Sequence, residues 1–189
     1  MDTMYIILGI LILITAYMVY SYNRLISKRN MVDTAYSNID TLLQKRFDLV
    51  PNLVSTVKGY MKHERELFEA VTRARSDWMN ASTIQENAEA DHVAASALKS
   101  IFAVAENYPD LKANKNFLLL QEELVGIENK IAYARQRYNR TVLDLNNAIQ
   151  QFPTNLIAQS FKFQTREFFE VESEKVREVP QVKIYDGED

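Results

Sequence analysis

Residues 116–150 read NFLLLQEELVGIENKIAYARQRYNRTVLDLNNAIQ, the longest uninterrupted amphipathic run in the chain. Phe117, Leu120, Leu124, Ile127, Ile131, Ala134, Tyr138, Thr141, Leu145, Ala148 and, just beyond the run, Phe152 recur by threes and fours. That alternation is the period of one helix face. Glu122, Glu123, Lys130, Arg135, Arg137 and Arg140 fall off the stripe. As one helix the run is roughly 52 Å long. Gln151-Phe152-Pro153 ends it, because a residue before proline avoids the helical region. A stripe this long is stable in water only if other helices cover it.

Two more stretches upstream supply such faces. From Val32 to Trp78 one seam position runs Val32, Ile39, Arg46, Leu53, Tyr60, Leu67, Ala74. Its companion runs Tyr36, Leu43, Val50, Val57, Glu64, Val71, Trp78. The seven-residue beat is that of a bundle or coiled-coil helix. Pro51 lies inside it, where proline withdraws a donor from the carbonyl of Phe47. The beat keeps its phase across Pro51, so a kink is expected there rather than a chain reversal. Such a kink either fits the packing or acts as a hinge. Arg46 and Glu64 interrupt the seam: each either snorkels to solvent or pairs across helices or subunits to set register. Asn80, Ser82 and Thr83 favour a break. A second stretch then runs over 84–107, with Ile84, Ala88, Ala95, Leu98, Phe102 and Ala105 on its face. Tyr108-Pro109-Asp110 reads as a turn and Asn114 as the cap of the next helix. After Pro153, NLIAQSFKF reads as a short helix.

The front of the chain has a different solvent. Residues 3–23 carry no formal charge and include IILGILILITAYMVY. As a helix they span roughly 31 Å, matching the ~30 Å hydrocarbon core of a bilayer. Tyr5 lies near one end and Tyr17, Tyr20 and Tyr22 near the other, as suits interfacial aromatic rings. A start of Met-Asp, a long apolar run and no small-residue cleavage site argue against a signal peptide. Arg24, Lys28 and Arg29 follow the span, so the charge rule places the bundle on the cytoplasmic side. The expected division is an anchor over 1–23, a bundle over 24–169 and an acidic, mobile tail over 170–189. Within the tail, VPQVKIY could pair with a partner as an extended segment.

Composition narrows the function. The chain has 189 residues, 25% of them charged, and a net charge of −3, which argues against a nucleic-acid binder. It has no cysteine, hence no disulfide, thiolate metal site or cysteine nucleophile. Four glycines and four prolines are too few for a turn-rich sheet protein. Gly9, Gly59, Gly126 and Gly187 lie too far apart to cradle a phosphate. The two histidines fit no metal motif: Leu67 stands where His63-Glu64 would need a second ligand, and the pair Glu89 and His92 lacks the second copy of a di-iron bundle. Glu122, Glu123 and Glu128 read as a solvated face rather than a cation site. No catalytic, cofactor or metal residue is therefore assigned. The aromatic-rich end, with Phe152, Leu156, Ile157, Phe161, Phe163, Phe168 and Phe169, either caps the bundle core or forms a subunit or membrane interface.

These landmarks together resemble the LemA family. The matching runs are YNRLISKRN, LLQKRFDLVPNLVSTVKGYMKHE, VTRAR, AENYPDLKANKNFLLLQEEL, GIENKIAYARQRYN and FPTNLIAQSFKF. Lys162 departs from the pattern, which leads one to expect glycine before Phe163. The resemblance implies a bacterial or archaeal membrane protein with a helical-bundle domain and no established catalytic residues, its relatives linked to envelope functions and magnetosome membranes.

The expected protein is all-α: a transmembrane helix followed by an elongated antiparallel bundle of three long helices and one short one. The expected role is structural, a self-assembling homo-oligomeric scaffold of the bacterial inner membrane, held by lipid contact through residues 3–23, without cofactor or enzymatic activity. Arg46, Glu64, Phe161, Phe163, Phe168 and Phe169 are its candidate interface residues. The alternatives are a binding module for a membrane protease or envelope-stress protein, and a hydrolase with a dispersed site.

Overall fold

A computed structural model describes residues 2–61 and 64–170. Among them are six helices and no strand: α1 (Asp2–Lys58), α2 (Arg65–Asn80), α3 (Ile84–Ala105), α4 (Pro109–Lys112), α5 (Lys115–Gln150) and α6 (Thr154–Ser160). The expected all-α bundle is what the chain forms.

Helix α1 contains 57 residues, about 86 Å of continuous helix. Its first third projects bare from the bundle: residues 2–20 are all exposed, and this helix is long and apolar enough to cross a membrane. Burial begins at Ser21 and Leu25 and then follows both seam positions, through Val32, Ile39 and Leu53 of one and Leu43, Val50 and Val57 of the other. Apolar segment and bundle are thus one rod.

The helix runs through Pro51 and stops seven residues later, at Lys58. The stretch Val32–Trp78, read from its beat as one kinked helix, is two helices, α1 ending at Lys58 and α2 beginning at Arg65. The amide nitrogens of Tyr60 and Met61 both bond to the carbonyl of Val57, and Met61 is buried beneath the turn. The beat survives the turn because both helices face one core. Val71 and Ala74 of α2 are as buried as Leu53 and Val57 of α1. Lysine in the last turn and glycine just past it are the stop signals, outweighed by the period.

Residue pairs give the directions. Tyr36 packs on Tyr138, Arg46 meets Glu128 and Tyr60 receives a bond from Asn114, so α1 and α5 are antiparallel. Asn87 bonds Tyr36 and Asp91 bonds Arg46, so α3 runs parallel to α1. With α2 returning between them, the long helices go up, down, up, down, as in a four-helix bundle. Capping fixes two joints. Thr83 accepts from the Glu86 amide while the Glu86 carboxylate accepts from the amides of Ser82 and Thr83. Those bonds hold the Glu86 carboxyl below the usual range. Asn114 accepts from the amides of Asn116 and Phe117 to start α5. The Tyr108-Pro109-Asp110 turn opens the one-turn helix α4, whose Leu111 is fully buried.

After α6 the chain turns back as a strap along α5. Asn146 donates to the carbonyl of Arg166 and accepts from its amide, both at 2.9 Å. Two turns earlier on α5, Asn139 does the same for Phe169, at 3.4 and 2.8 Å. Between these clasps the Tyr138 hydroxyl donates to the carbonyl of Glu167, and Phe169 enters the core. The expected mobile tail, including VPQVKIY, lies beyond Glu170 and outside the described residues, as does His63.

Candidate functional site

The two seams of opposite helices are each interrupted once by a charge, and the two charges meet. Arg46 of α1 and Asp91 of α3 are both wholly buried. Asp91 occupies the seam slot of α3 that lies between Ala88 and Ala95. Arg46 Nη2 donates to Asp91 Oδ1, and also to the Asp91 carbonyl at 3.3 Å. Arg46 Nη1 donates to Glu128 Oε2 of α5 at 2.5 Å. Arg135, two turns along the same face of α5, brings Nη1 to 3.0 Å from Asp91 Oδ2 and Nη2 to 3.9 Å from Glu128 Oε1. The Asp91–Arg135 approach is an ion pair without hydrogen-bond alignment, since Oδ2 has no aligned donor. Two cations and two anions alternate, so the group is neutral where the dielectric is low. Both carboxylates are already engaged by guanidinium groups. The cluster's chemistry is positional: it ties three helices at one level and penalises any register that separates the charges.

Above it, Phe47 stacks on Trp78 with centroids 5.0 Å apart, and the Arg46 guanidinium carbon lies 5.4 Å from the Phe47 ring. The Phe47 carbonyl, freed by Pro51, accepts from Arg75 Nε of α2 at 3.3 Å. Pro51 thereby opens a backbone acceptor to a neighbouring helix.

A second constellation lies where the bare part of α1 enters the bundle. Helix α6 packs Ile157 and Ala158 on Leu25 and Tyr22. Tyr22 touches Phe161 at 4.7 Å and Phe163 at 5.9 Å between centroids. Arg29 lies over the Phe163 ring at 5.8 Å. Helix α6 ends in a Schellman motif: the amide of Phe163 bonds the carbonyl of Ala158, and that of Lys162 bonds Gln159. Lys162 is the left-handed residue, with φ 55°. Glycine is usual there, and a lysine costs on the order of 1 kcal/mol. The turn keeps its geometry even though Lys162 stands where glycine was expected.

The remaining candidate residues are placed as follows. Glu64 is half-buried at the N-cap of α2, with no capping bond from its side chain. Phe168 is exposed, and Phe161 more so. Phe152 does not continue the α5 stripe inward: it is 79% exposed, while Val142 takes the buried position next to Thr141. Glu122, Glu123, Glu89 and His92 are exposed. Among the described residues no three His, Asp or Glu side chains converge as a metal site. The sequence pattern does not single out Asp91, Arg75 or the two clasping asparagines, and it leaves Arg135 among the off-stripe charges. Asp91 had a signal, a lone acid in a seam facing a lone base in another. The asparagines had none.

Comparison with known proteins accords with this architecture. The LemA family model matches residues 35–184. Protein LemA of Metamycoplasma hominis is 29% identical over 142 residues, covering 72% of this chain and 63% of that protein. Magnetosome protein MamQ 2 of Paramagnetospirillum magneticum is 23% identical over 175 residues, covering 79% and 64%. Magnetosome protein MamQ of Magnetospirillum gryphiswaldense is 22% identical over 174 residues, covering 78% and 64%. The chain thus spans just under two thirds of the length of these curated relatives. With its family model matched over most of the chain, this protein belongs to the LemA family.

Proposed function

We propose that the chain is a single-pass membrane protein whose bundle serves as a self-assembling structural scaffold, without a reaction centre of its own. The observation that carries this reading is an apolar line on the outer face of α5. Leu118, Val125 and Leu143 are 46%, 47% and 49% exposed and fall on nearly one azimuth of the helix, with Tyr133, 70% exposed, beside them. The inner face of the same helix is already filled. A groove of about 500 Å³ between α3 and α5, lined by Leu98, Phe102, Leu124 and Val125, adjoins this line. A bundle helix apolar on both faces offers its outer one to another molecule.

The anchor makes weak contacts there sufficient. The bare segment of α1 continues into the bundle without a joint. Copies embedded in one bilayer therefore stand parallel with α5 at a common height, which raises their effective concentration. By the charge rule, Arg24, Lys28 and Arg29 after the span support a bundle on the cytoplasmic face of a bacterial inner membrane. The relatives' names describe no enzyme.

The natural absence of cysteine gives a clean test. Val125→Cys in the full chain, oxidised in membranes, is expected to yield disulfide-linked dimers, and Ser76→Cys on the exposed face of α2 is not. Equal dimer yields from both positions would refute α5 as the contact.

A further inference from the structure

We infer that the junction of α1 and α6 is a recognition site for the phosphate headgroup of an anionic membrane lipid. The inference rests on the reading of the N-terminal segment as a membrane span. A cavity of about 300 Å³, the lower end for small-molecule sites, opens between α1 and the turn after α6. Arg29, Lys162 and Arg166 supply its charge, Tyr22, Phe161 and Phe163 its walls, and no acidic residue lines it.

The cations are held in place by different means. Arg29 rests on the Phe163 ring. Arg166 is fixed by the Asn146 clasp and lies 3.3 Å from Asp33. Lys162 is held at a left-handed turn that its side chain disfavours. A strained position that keeps a lysine in the lining of a cationic cavity points to a use for that charge. Among the described residues no ion pair engages Arg29 or Lys162, so both remain for a ligand.

The height of the site selects a lipid. The uncharged segment ends at Asn23, and Arg29 lies six residues on, about 9 Å along the axis, from where its long side chain reaches back to the headgroup layer. Phe161 of the cavity wall is exposed, as are Leu156 of α6 and Phe152 just before that helix, and apolar side chains there are suited to the acyl boundary. A cationic cavity with an apolar rim, continuous with a membrane span, fits a phosphate that carries acyl chains.

The test uses the full chain extracted from membranes into neutral detergent. It is equilibrated with equal amounts of short-chain phosphatidylglycerol and phosphatidylcholine, and retained lipid is read by native mass spectrometry. Wild type is expected to retain one phosphatidylglycerol in clear preference. The Arg29→Gln/Lys162→Gly variant is expected to lose that preference by roughly 30-fold, about fivefold for each cation removed. The glycine relieves the turn, and an unchanged helical spectrum with a melting point no lower than that of wild type shows that the variant is folded. Equal retention of the two lipids by wild type, or an undiminished preference in the folded variant, overturns the site. Displacement by equimolar inorganic phosphate reassigns it to free phosphate and also overturns the lipid. If wild type is not membrane-bound before extraction, it is the span that fails.

Discussion

The carbonyl oxygen of Phe47, which Pro51 deprives of its helical donor, accepts a hydrogen bond from Arg75 Nε at 3.3 Å. Proline inside a helix usually only costs stability. Here the freed acceptor docks α2 on α1. Arg75→Met is expected to destabilise the bundle by about 1–1.5 kcal/mol. The cost should be smaller in a Pro51→Ala background, where the backbone amide restored at that position can serve Phe47. A double-mutant cycle by denaturant unfolding measures the coupling. Strict additivity of the two changes would show that the bond has no energetic role.

The buried pair Arg46 and Asp91 leads to an asymmetric expectation. Arg46→Met leaves Asp91 buried with Arg135 as its remaining cation, and should cost about 3–5 kcal/mol. Removing both charges, as Arg46→Met/Asp91→Leu, should recover most of that loss, because no unpaired charge remains in the core. If the double variant is as unstable as the single one, the pair is not the source of the cost.

Tyr138 ties the strap to α5 and titrates with it. Burial pushes its phenol up to about 12, and burial raises Tyr36 beside it as well, with Asp40 adding to the effect. A folded-state pKa above the unfolded value of about 10 gives stability that is complete below pH 10 and lost as pH rises toward 12. The loss attributable to Tyr138 at pH 11 should be about 1 kcal/mol. Denaturation midpoints at pH 9 and pH 11 check it, and Tyr138→Phe should flatten the difference. An equally steep fall in the phenylalanine variant would assign the effect elsewhere.

Lys162 carries a left-handed backbone that glycine adopts freely. Lys162→Gly removes strain of about 1 kcal/mol and adds about 0.5 kcal/mol of unfolded-chain entropy. A net gain of about 0.5 kcal/mol is expected in thermal unfolding. A loss above about 1 kcal/mol would mean that the lysine side chain supports the fold.

Much of this architecture is legible in the sequence because period is legible. The three-and-four alternation from Phe117 to Leu145 places the inner face of α5, erring mainly at its ends and at Val142. The seven-residue beat finds most buried positions of α1 and α2, but passes over Ala35, Phe47 and Phe68. For the same reason it hides the turn between them: Leu53 and Val71 serve one core, so their phases agree, and only Lys58-Gly59 marks the stop. Local chemistry is legible too, as at Thr83 and Asn114, where the capping side chain lies within three residues of its partner. What a single helix cannot display is the identity of a distant partner. Arg46 is visible as an anomaly in its seam, but Asp91, 45 residues away, becomes its counter-ion only when α3 is set parallel to α1. Asn139 and Asn146 look like solvated positions until residues 161–170 return along α5 to meet them.

The scaffold reading rests on the outer face of α5, and the mass of the full chain tests it most directly. Light scattering in mild detergent, with the detergent contribution subtracted, is expected to give a defined multiple of 21.9 kDa. Leu118→Glu/Val125→Glu is expected to give the monomer mass with an unchanged helical spectrum, since both side chains already face solvent. A wild-type monomer, or a variant that keeps the full assembly, would contradict self-assembly through this face.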